Sequence, residues 1–295
     1  MPLEQISEMM LHARRHKYAV GYFESWDIAS LQGVIDAAET ARSPVIIGFN
    51  GEFLSRVDRL TEERLAWYAA LGKAAAESAS VPCGFIFNEC PRDEWVHQAV
   101  TAGFNLVMPV DPEVSLDDYM GRVAELTQHA HQHQVAVEAE IGVLPFGGIG
   151  EVQPGGSQTD PTAAAQFVAE TGIDLLAVSV GNVHILIRGH QTLDLEHLSK
   201  IREKVSIPLV LHGGTGIEES TLRDAVGLGV AKVNYGTIIK QRFLAAVRNS
   251  LNSNNENPHH LLGFGGDDDL LVAGRLAVRD VVLEKMEILG SKKRA

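Results

Sequence analysis

Pro208–Ile217 reads PLVLHGGTGI. Four apolar residues give the signal of a short buried strand, and the chain passes without a break into a histidine, two glycines, a threonine and a third glycine. In a parallel α/β protein, a side chain at the carboxyl end of a strand faces the functional side. A Gly-rich turn beyond it leaves backbone N–H groups free to bind an anion. His212 therefore reads as a metal ligand or acid/base and Gly213–Gly216 as an anion cradle, against the plainer alternative of a capped turn at a strand end.

The same beat runs outward from this stretch. Upstream stand the apolar segments Tyr18–Phe23 (YAVGYF), Pro44–Asn50 (PVIIGFN), Pro82–Asn88 (PCGFIFN), Asn105–Val110 (NLVMPV), Val135–Glu140 (VAVEAE) and Asp174–Val180 (DLLAVSV); downstream stands Val230–Tyr235 (VAKVNY). Between them the pattern is helical. Asp27 can cap a helix with Leu31, Val34, Ile35 and Ala38 on one face, and further helices are predicted over Glu62–Ala79, Asp93–Ala102, Leu116–His131, Pro161–Thr171, Leu193–Val205 and Ser220–Leu228. Eight continuous apolar strands alternating with helices are what an α/β TIM (β/α)8 barrel requires, because each strand is covered on both faces. A doubly wound open sheet is the runner-up, but no GxGxxG follows the first strand. The chain ends with a helix near Ile238–Asn249, a solvated acidic loop at Asp267–Asp269 and a last helix Arg275–Leu289. The apolar face of that last helix, Val278, Val281, Val282 and Leu289, is expected to close the barrel base or dock a second subunit.

Composition bounds the rest. With 295 residues, 45% hydrophobic and 21% charged, the chain can bury one large core, and residues 1–295 read as a single domain. A formal net charge of −13 argues against nucleic acid or an anionic membrane as partner. Two cysteines, Cys83 and Cys90, are too few for a disulfide framework, and neither a signal peptide nor a membrane-spanning run is legible. The expectation is a cytoplasmic protein.

At the carboxyl ends of the predicted strands stand Asn50 with Glu52, Asn88 with Glu89, Asp111, Glu138 with Glu140, His184, His212, and Asn234 with Thr237. Two histidines with carboxylates from strands three and five form a plausible set of divalent-metal ligands, for which zinc fits best; for His184 alone the alternative is a histidine buried in an apolar segment. His129, His131 and His133 point in different directions at the other end of the barrel and read as a surface cluster.

The chain resembles the class II, zinc-dependent ketose-bisphosphate aldolases, the family of fructose-bisphosphate and tagatose-bisphosphate aldolases. Matching pieces stand in the family's order over nearly the whole length: Tyr18–Gly21, Glu39–Pro44, Gly103–Val110, Val137–Gly142, Thr159–Pro161, Phe167–Val180, Pro208–Ile217, Lys232–Thr237 and Glu284–Lys292. The resemblance implies that His184 and His212 are zinc ligands and Glu140 a carboxylate near the metal. It likewise implies that Gly213, Gly214 and Thr215, with Gly181 and Asn234, Tyr235, Gly236 and Thr237, hold a phosphate. The loop Val143–Ser157 corresponds to the family's mobile active-site loop, with Glu151 as its acidic residue.

Departures from the pattern are as informative. Where the family carries an Asp-His pair at the end of strand three, the Asp as acid/base and the His as third ligand, this chain has Asn88 and Glu89. Glu89 can still ligate zinc, whereas Asn88 cannot exchange a proton at neutral pH. A glycine after the strand-six histidine is replaced by Ile185, and Glu24-Ser25-Trp26 replaces an asparagine motif after strand one.

The implied activity is a metal-dependent aldolase: a zinc ion held by Glu89, His184, His212 and Glu140 stabilises an enediolate as a ketose phosphate, sugar or sugar acid other than fructose 1,6-bisphosphate is cleaved. With Asn88 in place of the acid, the proton falls to Glu151, Glu52, Glu24 or zinc-bound water. Two alternatives stand beside it: a conventional ketose-bisphosphate aldolase, and a non-catalytic sugar-phosphate or metal binding protein. A basic residue for a second phosphate would come from Arg188, Lys232, Arg242 or a partner's Arg275, and a homodimer or homotetramer is implied by the resemblance.

Overall fold

The computed structural model describes residues 3–111, 113–148, 155–251 and 255–295. Its centre is a closed barrel of eight parallel strands in sequence order. They are β1 (Val20–Glu24), β2 (Val45–Asn50), β3 (Cys83–Cys90), β4 (Leu106–Pro109), β5 (Ala136–Ile141), β6 (Leu175–Val178), β7 (Leu209–Leu211) and β8 (Val230–Tyr235). Every strand residue is buried except Ala136 and Glu140. That explains why the strands read as unbroken apolar runs, since helices cover the outside and side chains fill the inside.

The covering helices are α2 (Ile28–Ala41), α4 (Leu65–Ser78), α5 (Asp93–Ala102), α6 (Leu116–Gln132), α7 (Pro161–Thr171), α8 (Leu195–Lys204), α9 (Glu219–Gly227) and α10 (Thr237–Leu251). Start signals account for several of them: Asp27, Ser115, Asp160 and Asp194 each accept a hydrogen bond from the first-turn backbone.

Of the three helices not expected from sequence, which include the short one at Pro258–Leu261, α1 (Ile6–Arg15) precedes the barrel. Its Ile6, Met9, Met10 and Ala13 are buried against Val20, Ile46, Ile86, Leu106, Leu175 and Val210, the inward-facing side chains of the strands. This helix closes the amino end of the barrel. α3 (Gly51–Ser55) follows β2 directly, capped by the Asn50 side chain. Near the carboxyl terminus come α11 (Pro258–Leu261) and α12 (Leu270–Ile288).

Two expectations are corrected here. α12 does not close the base: it packs along α2 and α10 on the outside, with Val278, Val281 and Val282 buried and Arg275 paired to Asp36 of the same chain at 2.6 Å. Asp267–Asp269 is not simply a solvated loop either. Asp269 is buried and caps α12, accepting backbone hydrogen bonds from Gly263, Gly265, Leu271 and Val272. The histidines of α6 do lie at its surface end, where His131 pairs with Asp174 at 2.9 Å. No helix among the described residues is long and apolar enough to cross a membrane.

Candidate active site

Inside the barrel the period-two alternation of each strand stacks side chains in layers. On β1, β5 and β8 the pairs Tyr22–Glu24, Glu138–Glu140 and Lys232–Asn234 place one polar group deep and a second toward the carboxyl end. The deep layer is an ion pair: Lys232, wholly buried, reaches Glu138, equally buried, at 2.8 Å, and also bonds Asn234. Burial pushes the Glu138 carboxyl up, but Lys232 and His212 outweigh it and hold it below its ordinary value.

His212 continues β7 and stands directly over that pair. Its Nε2 lies 3.0 Å from Glu138 Oε1, and its Nδ1 lies 2.9 Å from Glu89 Oε1 and 3.3 Å from Glu140 Oε2. Burial alone would lower its pKa, yet the bonds to Glu138 and Glu89 and the charge of Glu140 push it up to about 10. The imidazolium with Lys232 balances two of the three carboxylates.

Glu89 is the position whose geometry strand alternation does not foresee. Asn88 follows Ile86 onto the inner face, so Glu89 should point outward. Instead β3 slips by one residue against β4 between Phe87 and Cys90, and Glu89 adopts φ +56°. This bulge re-aims the side chain inward. Its carboxylate is held by Asn50 Nδ2 at 2.7 Å and approached by His184 Nε2 at 3.7 Å. Burial raises its pKa, but His212 and His184 reverse this and bring it to about 2.

A cleft of about 300 Å³ opens above this cluster. Of the residues singled out from sequence, Asn88, Glu89, His184, His212, Gly213, Thr215, Asn234, Tyr235, Gly236 and Thr237 line it. Gly213 sits at φ +68°, and a Cβ there would lie 2.1 Å from the Val183 carbonyl oxygen, so no other residue fits. Thr215 ties the glycine turn to α10 by accepting from the Ile238 N–H at 3.2 Å. Tyr235 touches the cleft, while its ring stacks on Phe23 away from it.

The remaining residues singled out from sequence stand elsewhere. Gly181 and Gly214 are absent from the lining, and Gly214 is packed beneath Val233 and Tyr235. Glu140 meets the cluster through His212. Lys232 is sealed beneath the site and so unable to meet a second phosphate; Arg188, Arg242 and Arg275 are also outside the lining. The cation that does line the cleft is Lys240, which sequence reading passed over. Glu52 is not in the lining, and Glu151 lies outside the described residues. Ile185 lines the cleft with φ +53°, an unfavourable conformation for a β-branched residue where glycine would be unstrained.

No group of three or more His, Cys, Asp or Glu side chains among the described residues is arranged to hold a metal ion as it stands. The donors nevertheless suit one. Ligand atoms of a tetrahedral zinc site, with bonds of about 2.0–2.1 Å, are separated by about 3.3–3.4 Å. The separations His212–Glu89, His212–Glu140 and His184–Glu89 are 2.9, 3.3 and 3.7 Å. Three carboxylates against Lys232 and the His212 imidazolium leave room for further positive charge, and Glu138 on Nε2 fixes the ring of His212 as an outer partner of a ligating histidine does.

Comparison with known proteins adds a family. Residues 4–294 match the family model described as fructose-bisphosphate aldolase class-II. The uncharacterized protein YdjI of Escherichia coli (strain K12) is 33% identical over 285 residues, covering 96% of each chain. Fructose-bisphosphate aldolase of Geobacillus stearothermophilus is 31% identical over 304 residues, covering 100% of this chain and 99% of that one. The crystal structure of the YdjI aldolase from E. coli K12 superposes with a TM-score of 0.81 at 30% identity over 99% of both chains.

Proposed function

The chain belongs to the class II fructose-bisphosphate aldolase family, and from that premise we propose that it is a metal-dependent carbon–carbon lyase acting on a ketose phosphate or a related sugar or sugar acid other than fructose 1,6-bisphosphate. The observation that carries the reading is the Asn88–Glu89 bulge. It presents a carboxylate, in place of a histidine, to His184 and His212 and leaves a non-titrating amide beside it. Glu89, His184 and His212, with Glu140 in reserve, would hold a zinc ion. Bound there, the ion would supply Lewis-acid polarisation of a substrate carbonyl.

The chain's own groups do the positioning. Tyr22 Oη, Asn88 Oδ1 and Asn234 Nδ2 are buried polar atoms without a hydrogen-bond partner, on residues that line the cleft. A buried group left unpaired is costly, so these atoms favour a ligand rich in hydroxyls. Asn88 can orient the hydroxyl that loses its proton as the carbon–carbon bond opens, but it cannot take that proton. Glu151, which lies outside the described residues, is the group we propose to carry it. Gly213, Thr215 and the Asn234–Thr237 turn hold the near end of the substrate.

Retro-aldol assays over ketoses, ketose phosphates and keto-sugar acids, before and after chelation, test this reading. Activity on at least one, abolished by chelator and restored by zinc, is expected. Asn88→Asp separates it from the conventional ketose-bisphosphate aldolase. Because general acid/base groups contribute roughly 10²–10⁴-fold, a conventional pocket lacking only its acid would gain that much fructose 1,6-bisphosphate cleavage. A change of less than about tenfold is expected instead.

A further inference from the structure

Glu24 ends β1 in the cleft and meets the glycine-rich corner from the opposite side. One carboxylate oxygen is paired with Lys240, in the first turns of α10, and the other comes so close to Gly236 that a Cβ there would lie 2.3 Å from it. The Lys240 ammonium is fixed in turn over the Phe53 ring, 4.4 Å from its centroid.

This corner combines the features that attract an anion: a glycine turn, the amino end of the fifteen-residue α10 and a lysine. The chain itself already supplies the negative charge. A second anion entering here would meet the Glu24 carboxylate in a largely buried setting, where like charges repel far more strongly than in water. The unpaired groups nearby are neutral. Asn234 Nδ2 offers a donor and Asn88 Oδ1 an acceptor, on side chains 8% and 3% exposed. Such a pair matches alcohols better than a phosphate, which would need several donors.

Resting on the aldolase reading, we propose that Glu24 is a specificity-determining residue that acts as a built-in anion in this corner, so that the substrate end seated there carries a free hydroxyl and no phosphate.

The test is a calorimetric titration of inorganic phosphate into the full-length, metal-loaded protein and into Glu24→Gln, which keeps the shape and removes the charge. Wild type is expected to show no binding below about 10 mM, and Glu24→Gln at least tenfold tighter binding. Phosphate bound at the metal is removed by repeating both titrations after chelation, so what remains is binding in the corner. Submillimolar binding to wild type overturns the proposal even if the variant fails to fold, as do equal or weaker affinities in the variant. The titration requires no turnover, so its failure is separable from failure of the aldolase reading. Within that reading, kcat/KM for a ketose or keto-sugar acid with a free C1 hydroxyl should exceed that of its 1-phosphate ester at least tenfold, and Glu24→Gln should narrow the ratio. A wild-type preference for the ester overturns the inference; cleavage of neither compound counts against the lyase.

Discussion

Replacing Glu89 by alanine is expected to strip the protein of bound divalent metal and to lower kcat/KM on any substrate it cleaves by at least about 10²–10³-fold. A metal at a reacting carbonyl supplies several kcal/mol of transition-state stabilisation, and each 1.36 kcal/mol is about tenfold in rate. The side chain is buried, accepts from Asn50 and faces both histidines, so its loss removes one of the proposed ligands and leaves His212 with Glu138 and Glu140. Elemental analysis of the purified variant gives the decisive readout. Glu89→His is the informative partner, since histidine tolerates the left-handed backbone at φ +56° better than most residues and can ligate zinc. It should keep metal where alanine does not. Full metal content in Glu89→Ala would remove this residue from the ligand set.

That Glu89 stands at the site was legible in the sequence, but how its side chain reaches the cleft was not. Strand alternation puts only one of Asn88 and Glu89 inside, and a bulge is set by register against the neighbouring strand, which a single segment does not encode. The barrel itself was legible because a closed parallel sheet leaves its strands apolar throughout. α1 was missed because its four buried residues are interspersed with Ser7, Glu8 and His12 and followed at once by Arg14 and Arg15, and the apolar stripe spans barely two turns. Lys232 was misread for a different reason. A lysine is ordinarily a surface residue, and only its placement two residues before Asn234, facing the deeper carboxylate of the Glu138–Glu140 pair, marks it as interior. Lys240 was overlooked because its partner, Glu24, lies more than two hundred residues away in sequence.

The largest effect on folding is expected from Lys232→Met. Lys232 is fully buried, donates to Glu138 Oε1 at 3.1 Å, lies 2.8 Å from Oε2 as an ion pair, and is placed 5.2 Å above the Tyr22 ring centroid. Methionine fills a similar volume, so most of the loss is electrostatic. Breaking a buried ion pair from one side costs about 3–5 kcal/mol, and because His212 stays on Glu138 the loss here is expected at the lower end of that range. pH tells this apart from a packing defect. In wild type, Glu138 titrates below its unfolded value of about 4.3, so its contribution is present above that pH and lost on acidification. In Lys232→Met its pKa should rise, because His212 alone then works against the burial, so the penalty is full at high pH and shrinks as the carboxyl takes up a proton. The Tm difference between the two proteins should therefore narrow between pH 8 and pH 5, whereas a cavity would leave it unchanged. Adding Glu138→Gln removes the stranded charge while keeping an acceptor for His212, and should recover most of the lost stability. A double variant no more stable than Lys232→Met alone would show that the lysine matters for its shape and not for its charge.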